Sequence, residues 1–132
     1  MSTLCGVVEF CQWDEWFAVI DAGAVLTKNS RLARLCFGAG GECHPLSTLA
    51  NRGMPADMGE QLQSDYQKVR GSVYAETWAA LPELESQVRR WQGDPNLAEL
   101  LKSTHFLVLL ELMQVLGRHW GQNNVRVVVY FD

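Results

Sequence analysis

The chain has 132 residues and a formal net charge of −4, a length that fits a single globular domain covering residues 1–132. Hydrophobic residues make up 48% of the sequence and charged residues 20%, and this composition excludes an intrinsically disordered chain. No stripe of basic residues runs along the sequence, so nucleic acid is not an expected partner. The acidic balance suits a basic protein partner better.

The start of the chain lacks the basic and hydrophobic leader of a secretory signal. We therefore expect a cytoplasmic protein whose four cysteines are thiols. The longest apolar run, residues 106–116, is interrupted by Glu111 and is too short to span a bilayer. A membrane partner is not expected.

The first segment with a clear pattern is rich in valine and phenylalanine and predicts a strand from Leu4 to Phe10. Two interpretations remain for the next segment. Apolar residues between 13 and 20 have helical spacing, or else Asp14–Glu15 forms a turn and "WFAVI" returns as a second strand. We favour the hairpin, because the segment is rich in β-branched residues and comes directly after a strand.

The middle of the chain is predicted to hold two helices separated by a long loop. The first is capped by Asn29 or Ser30 and ends at Gly38, and residues 39–55 form a loop rich in glycine, proline and serine. The second begins at Asp57, whose carboxylate forms a capping box with Glu60, and ends at Gly71. Its buried stripe is predicted to consist of Met58, Leu62, Tyr66 and Val69.

The C-terminal half predicts more helices and a final strand. Residues 72–81 form a short strand or an extended loop, and a helix then runs from Pro82 to Gly93. Asp94 caps a helical stretch that continues to His119 or restarts at Ser103. Residues 125–131 are apolar on both faces, which indicates a central strand. The predicted fold is α+β: a small, mostly antiparallel sheet, made of the N-terminal hairpin and the C-terminal strand, packed against several helices.

The residue types used in catalysis and metal binding do not form a recognisable catalytic set. Cys36, Cys43 and His44 lie close together but lack the paired spacing of a zinc site. The glycine-rich segment at residues 38–42 comes after a predicted helix, whereas a phosphate-binding loop comes after a strand. His105 is expected in the core and His119 near a helix end. We assign no catalytic residue, no metal and no cofactor, and an enzyme is the less favoured class.

Arg52 has two interpretations. An arginine in a loop can bind carboxylates and carbonyl groups in a forked geometry, so it can attach the long loop to the body of the domain through Glu76 or Asp132. Alternatively, its guanidinium faces an anionic ligand or a partner protein. We favour the structural interpretation and keep Arg52 as a candidate for partner binding.

A set of short motifs resembles a group of bacterial and phage-borne proteins for which no activity is known. That group carries Arg-Gly-Leu/Met-Pro-x-Asp, an acidic-aromatic helix, a Ser/Thr-Trp step before Leu-x-Glu-Leu, and a Val-Arg strand ending in Phe-Asp. The matching residues here are Arg52, Gly53, Met54, Pro55, Asp57, Asp65, Tyr66, Thr77, Trp78, Leu81, Glu83, Leu84, Val125, Arg126, Phe131 and Asp132. The resemblance implies a shared fold with an opening hairpin. A histidine that often precedes the Ser/Thr-Trp step in the group is absent here, so no role of that histidine is carried over.

The leading hypothesis is a small protein-binding module, of the inhibitor or immunity type, that neutralises a partner protein. Its basis is the small size, the acidic balance, the long irregular loop and five tryptophans, a residue enriched at interface hot spots. The predicted partner-binding residues are Trp13, Asp14, Glu15, Trp16, Asp21 and Arg52.

Two other classes of function remain. A small-ligand-binding protein or a hydrolytic enzyme would use a pocket around the loop at residues 38–55, with Arg52, His44 and Glu76 facing it. A structural subunit would form a homo-oligomer through exposed tryptophans.

Overall fold

The computed structural model of the chain describes residues 3–26, residue 37 and residues 49–132. The elements in chain order are β1 (Leu4–Gln12), β2 (Glu15–Asp21), α1 (Ala22–Val25), α2 (Glu60–Val69), β3 (Tyr74–Ala80), α3 (Leu81–Gln92), α4 (Pro95–Ser103), α5 (Phe106–Trp120), a 3₁₀ turn (Gln122–Asn124) and β4 (Val125–Phe131). The helix predicted to end at Gly38 and most of the predicted loop at residues 39–55 lie outside the described residues.

The four strands form one antiparallel sheet in the order β2-β1-β4-β3. This arrangement confirms the α+β fold with an N-terminal hairpin and a C-terminal strand. Every residue of β4 is buried, because β4 has a neighbouring strand on each side and is covered on both faces. The sequence prediction of a central final strand is therefore confirmed.

The hairpin turn lies one residue earlier than predicted. Gln12 pairs with Glu15, so the two-residue loop consists of Trp13 and Asp14, with φ angles of 55° and 61°. Positive φ at both loop residues is the feature of a type I′ turn, which matches the twist of the two strands. The register that pairs Phe10 with Phe17, whose rings are 5.5 Å apart, fixes this loop, and the predicted turn at Asp14–Glu15 is wrong.

Helices cover the sheet on both faces. On one face the odd-numbered residues of β4, from Val125 to Phe131, join the main core with α3, α4 and α5. On the other face Val128 and Tyr130 pack against Leu62 of α2. The predicted stripe packs against the sheet, although Met58 lies before the first residue of α2: Leu62 is fully buried, and Met58, Tyr66 and Val69 are half-buried.

The boundaries of the C-terminal helices match the sequence signals, except at one residue. Helix α3 ends at Gln92 with Gly93 as its C-cap, and the carboxylate of Asp94 accepts from two amides of the first turn of α4. The helical stretch breaks before α5, where His105 is exposed and has a φ of 62°. The prediction of a core histidine at this position is wrong, because the left-handed conformation turns His105 out of the helical stripe. His119 lies in the last turn of α5, as predicted.

Among the described residues, no single helix has both the length and the apolar composition needed to cross a bilayer. Helices α4 and α5 reach these limits only as a pair, and the pair is bent by 72°.

Candidate functional site

Residues 52–59, here called the strap, lead into α2 on the face of the sheet that α2 covers. Two arginine clusters hold the strap, one at each of its ends. Each cluster combines an ion pair with a guanidinium placed over a tryptophan ring, a contact that is favourable because the face of the ring is electron-rich.

Arg52 holds the first end of the strap against α3. Its Nη1 donates to Glu83 Oε1 at 2.9 Å and to the carbonyl of Trp78 at 3.2 Å, and its Nη2 donates to Glu83 Oε2. The guanidinium lies 5.0 Å from the centre of the Trp78 ring. Glu83 also accepts from the amide of Ala80 and so caps α3. The hydrogen bonds from Arg52 hold the pKa of the Glu83 carboxyl below its ordinary value.

The two acids proposed from the sequence as partners of Arg52 have other partners. Glu76 accepts from the hydroxyl of Tyr66 at 2.9 Å, and Asp132 accepts from the hydroxyl of Ser72 at 3.2 Å. The predicted partners are therefore wrong, although Arg52 does attach the strap to the domain.

Arg126 forms the second cluster, at the centre of the sheet. It lies opposite Glu9 on β1, and the exposed fractions of these residues are 4% and 0%. Arg126 Nε donates to Glu9 Oε1 at 2.9 Å, and Nη1 donates to Asp57 Oδ1 at 2.7 Å. Glu9 Oε2 accepts from the amide of Gly59 at 3.0 Å. Trp16 lies over the guanidinium at 3.7 Å and donates its indole N–H to Asp57.

Asp57 does not cap α2, contrary to the sequence prediction. Its two carboxylate oxygens are occupied by Arg126 and Trp16, and α2 starts only at Glu60, after Gly59. The hydrogen bond from Arg126 lowers the pKa of Asp57 below its ordinary value. A long-range ion pair thus replaces the local capping box.

A cleft of about 420 Å³ lies beside this cluster, between the start of β2 and the start of α2. Its acidic lining residues are Asp14, Glu15, Asp57 and Glu60. The other lining residues are Trp16, Phe17, Met58, Gly59 and Gln61. The described lining of the cleft combines aromatic and other apolar groups with four carboxylates and contains no lysine or arginine, but the carboxylate of Asp57 is already paired with Arg126. The remaining carboxylates and the aromatic rings suit a cationic group with an apolar stem.

The structure brings only part of the predicted binding set together. Trp13, Asp14 and Glu15 lie at the hairpin turn, and Trp16 lines the adjoining cleft. Asp21 lies at the other end of β2, where its carboxylate accepts from the amide of Ala24 and caps α1. Arg52 is bound to Glu83, beside the opposite edge strand of the sheet.

The sequence reasoning missed the residues that α2 and the strap contribute to the cleft, and it missed the Glu9–Arg126 pair. A signal for that pair was present. Each of these charged residues lies within a predominantly apolar strand, and a charge in such a strand requires a buried partner of opposite sign.

Acidification is expected to weaken the strap. The ordinary pKa values of Asp57 and Glu83 are 3.8 and 4.5, and both are lowered in the folded protein. Their contribution to stability is therefore complete above the unfolded-state values and is lost as the pH falls through the folded-state values. Urea unfolding between pH 7 and pH 3 should show this loss below about pH 4.5. The double variant Asp57→Asn/Glu83→Gln should be less stable at pH 7 and lose less stability on acidification. Equal losses in the two proteins would contradict this assignment.

Within the described part of the chain, no group of three or more His, Cys, Asp or Glu side chains is arranged to hold a metal ion. Cys5 and Cys11 are free thiols, and burial raises the pKa of both. The predictions about Cys36, Cys43 and His44 lie outside the described residues.

Several residues that carry the resemblance contact one another. The side chain of Arg52 binds Glu83, and the backbone amide of Arg52 donates to the hydroxyl of Thr77. Asp57 binds Arg126. These contacts give the motif residues a structural role in holding the strap. Comparisons of the chain with protein-family models, with curated proteins and with solved structures found no match.

Proposed function

We propose that the protein is a small protein-binding module of the inhibitor or immunity type. It contacts a basic partner protein through the hairpin turn and the adjacent acidic cleft. The observation that supports this proposal is the exposed, left-handed conformation of Trp13 at the turn. This conformation lowers the stability of the fold, and the exposed indole is placed to contact another molecule.

Trp13 is 81% exposed and has a φ of 55°. A type I′ turn favours asparagine or glycine at this position, and a large side chain in the left-handed region costs about 1–2 kcal/mol. Exposure of the indole adds no core packing to offset this cost. Strained and exposed positions of this kind are characteristic of functional sites, and tryptophan is a preferred anchor residue at protein interfaces.

The charges around Trp13 favour a basic partner. Asp14 and Glu15 come directly after it, and Glu60 extends the acidic surface along the cleft. No lysine or arginine occurs before Lys28 in the sequence. A lysine or arginine side chain of the partner can enter the cleft while an apolar neighbour packs on Trp13. Opposite charges of this kind accelerate association and select against acidic partners.

Replacing Trp13 with asparagine separates folding from binding. The variant is expected to be more stable by about 0.5–1 kcal/mol, because asparagine tolerates positive φ. It is also expected not to bind the partner protein that the original chain captures from an extract of its source organism. The matched control is Val108→Asn, which alters a 49% exposed apolar side chain on α5 and should keep binding. Urea unfolding and immobilised-protein capture measure the two effects. Retained capture by Trp13→Asn would contradict the proposal.

The residues named for a ligand pocket have partners within the chain. Arg52 binds Glu83, and Glu76 binds Tyr66, while His44 lies outside the described residues. The ligand-binding alternative therefore lacks an observation comparable to the strained and exposed Trp13.

A further inference from the structure

The outer face of α5 carries an exposed apolar stripe. Six large apolar side chains are exposed in the described part of the chain, and three of them lie on this helix. Val108, Leu112 and Val115 are 49%, 36% and 42% exposed. Their spacing of four and then three residues places them along one face of the helix. Adjoining exposed apolar side chains are typical of an interaction surface, whereas single ones are ordinary.

The opposite face of α5 is buried in the main core. Phe106, Leu109 and Met113 are fully buried there. Only four of the fifteen residues of α5 have polar side chains, so the helix is apolar around most of its circumference. Helices of this kind are usually covered on most sides. The stripe therefore favours contact with another molecule over contact with water.

Two exposed residues of opposite charge, Glu111 and Arg118, flank the stripe on one side. They are seven residues apart, so they lie two turns and about 10 Å apart along the helix axis. Val115 lies near the midpoint between them. A two-fold axis through this midpoint and perpendicular to α5 makes two copies of the helix antiparallel, and it brings Glu111 of each copy to Arg118 of the other. In a parallel pair these residues would lie on opposite sides of the seam.

We propose that α5 forms the interface of a homodimer by packing antiparallel against α5 of a second copy. Leu112 and Val115 of both copies lie at the centre of the seam, and Val108 lies at its two ends. The ion pairs between Glu111 and Arg118 fix the register, as flanking charges do in coiled coils. A membrane surface is a less suitable occupant, because helices that lie on membranes carry mainly basic residues beside their apolar face.

This dimer leaves the acidic cleft free and does not depend on the proposed function. Helix α5 packs on the face of the sheet that carries the main core, whereas the cleft lies on the face that α2 covers. A change in the stripe, such as Val108→Asn, therefore leaves the cleft unaltered. One dimer presents two hairpin turns, which raises the apparent affinity for a partner that engages both.

Reversal of the flanking charges tests the pairing. A single helix pair is smaller than a standard interface, so the expected Kd of the dimer is on the order of 100 μM. Glu111→Arg and Arg118→Glu each place like charges opposite each other and should weaken the homodimer at least about tenfold. An equimolar mixture of the two variants should form a heterodimer, because every charge then meets its opposite. The double variant Glu111→Arg/Arg118→Glu should regain the original Kd within about threefold.

Lys68→Glu is the matched control, because it reverses an exposed basic residue in the last turn of α2, as Arg118→Glu does in α5. It should leave the Kd unchanged. Sedimentation equilibrium up to about 1 mM protein measures the association, and backbone amide shifts on dilution locate the interface.

Weakening by both single variants, with recovery in their mixture, supports antiparallel pairing of α5. A protein that stays monomeric throughout the concentration range overturns the inference, and so does a monomer that binds lipid vesicles through the stripe. A dimer that both single variants retain, or amide shifts centred outside residues 108–119, also overturns it. Capture of the partner protein and its loss in Trp13→Asn are measured separately, so either proposal can fail while the other stands.

Discussion

Replacing Arg126 with methionine is expected to destabilise the protein by about 3–5 kcal/mol, because it leaves the carboxylate of Glu9 buried without its cationic partner. Glu9 is fully buried on a central strand, so water cannot replace the lost hydrogen bonds. The change also removes the cation beneath the Trp16 ring and the donor to Asp57. Urea unfolding at pH 7 should show a lower midpoint with an unchanged slope.

Arg52→Met is the matched control, because it removes the same functional group from the other end of the strap. The side chains of Arg52 and Glu83 are 25% and 39% exposed, and partly exposed ion pairs contribute about 1 kcal/mol or less. The double variant Glu9→Gln/Arg126→Met should recover part of the stability lost in Arg126→Met, since it buries a neutral amide in place of a carboxylate. Equal losses in Arg126→Met and Arg52→Met would contradict a central role of the buried pair.

The parts of the fold that depend on residues close to one another in the sequence could be predicted. The hairpin and β4 result from strand-forming residues, and the buried face of α2 results from helical periodicity. The start of α4 is set by the Asp94-Pro95 step, because aspartate accepts from free amides and proline suits the first helical position. Each of these signals lies within a few residues of the structure that it determines.

The second end of the strap could not be predicted in this way, because its partners are distant in sequence. Asp57 has a strong local signal for a helix cap, yet its carboxylate binds Arg126, which is 69 residues away. Arg126 in turn binds Glu9, across 117 residues. A charge-assisted bond to a buried guanidinium is stronger than a cap to a neutral amide, so the tertiary contact determines where α2 begins.

Only the part of the candidate site that is local in sequence could be predicted. The acidic residues after Trp13 are adjacent in the sequence, and the hairpin keeps them together. The far wall of the cleft comes from residues 57–61, which the Arg126 cluster draws against β2. The cleft therefore depends on the contacts that sequence periodicity does not reveal.

Replacing Gly59 with alanine is expected to destabilise the protein by about 2–3 kcal/mol through overpacking. The added methyl group would overlap the backbone carbonyl of Trp16 and lie 2.8 Å from Glu9 Oε2. The φ of Gly59 is −65°, which alanine adopts without strain, so the expected cost is steric. The strap would have to move away from β2, and the bond from the Gly59 amide to Glu9 would break.

Gly71→Ala is the matched control, because a methyl group there meets no atom within 4 Å. That substitution should change the stability by less than about 0.5 kcal/mol, as for most surface changes. In Gly59→Ala the indole of Trp16 should also become more exposed, which fluorescence quenching by acrylamide can measure. Equal stability of the two variants would show that the strap does not contact β2 closely. A stability loss confined to Gly59→Ala, together with greater quenching, would show that the close approach of glycine to β2 holds the wall of the cleft in place.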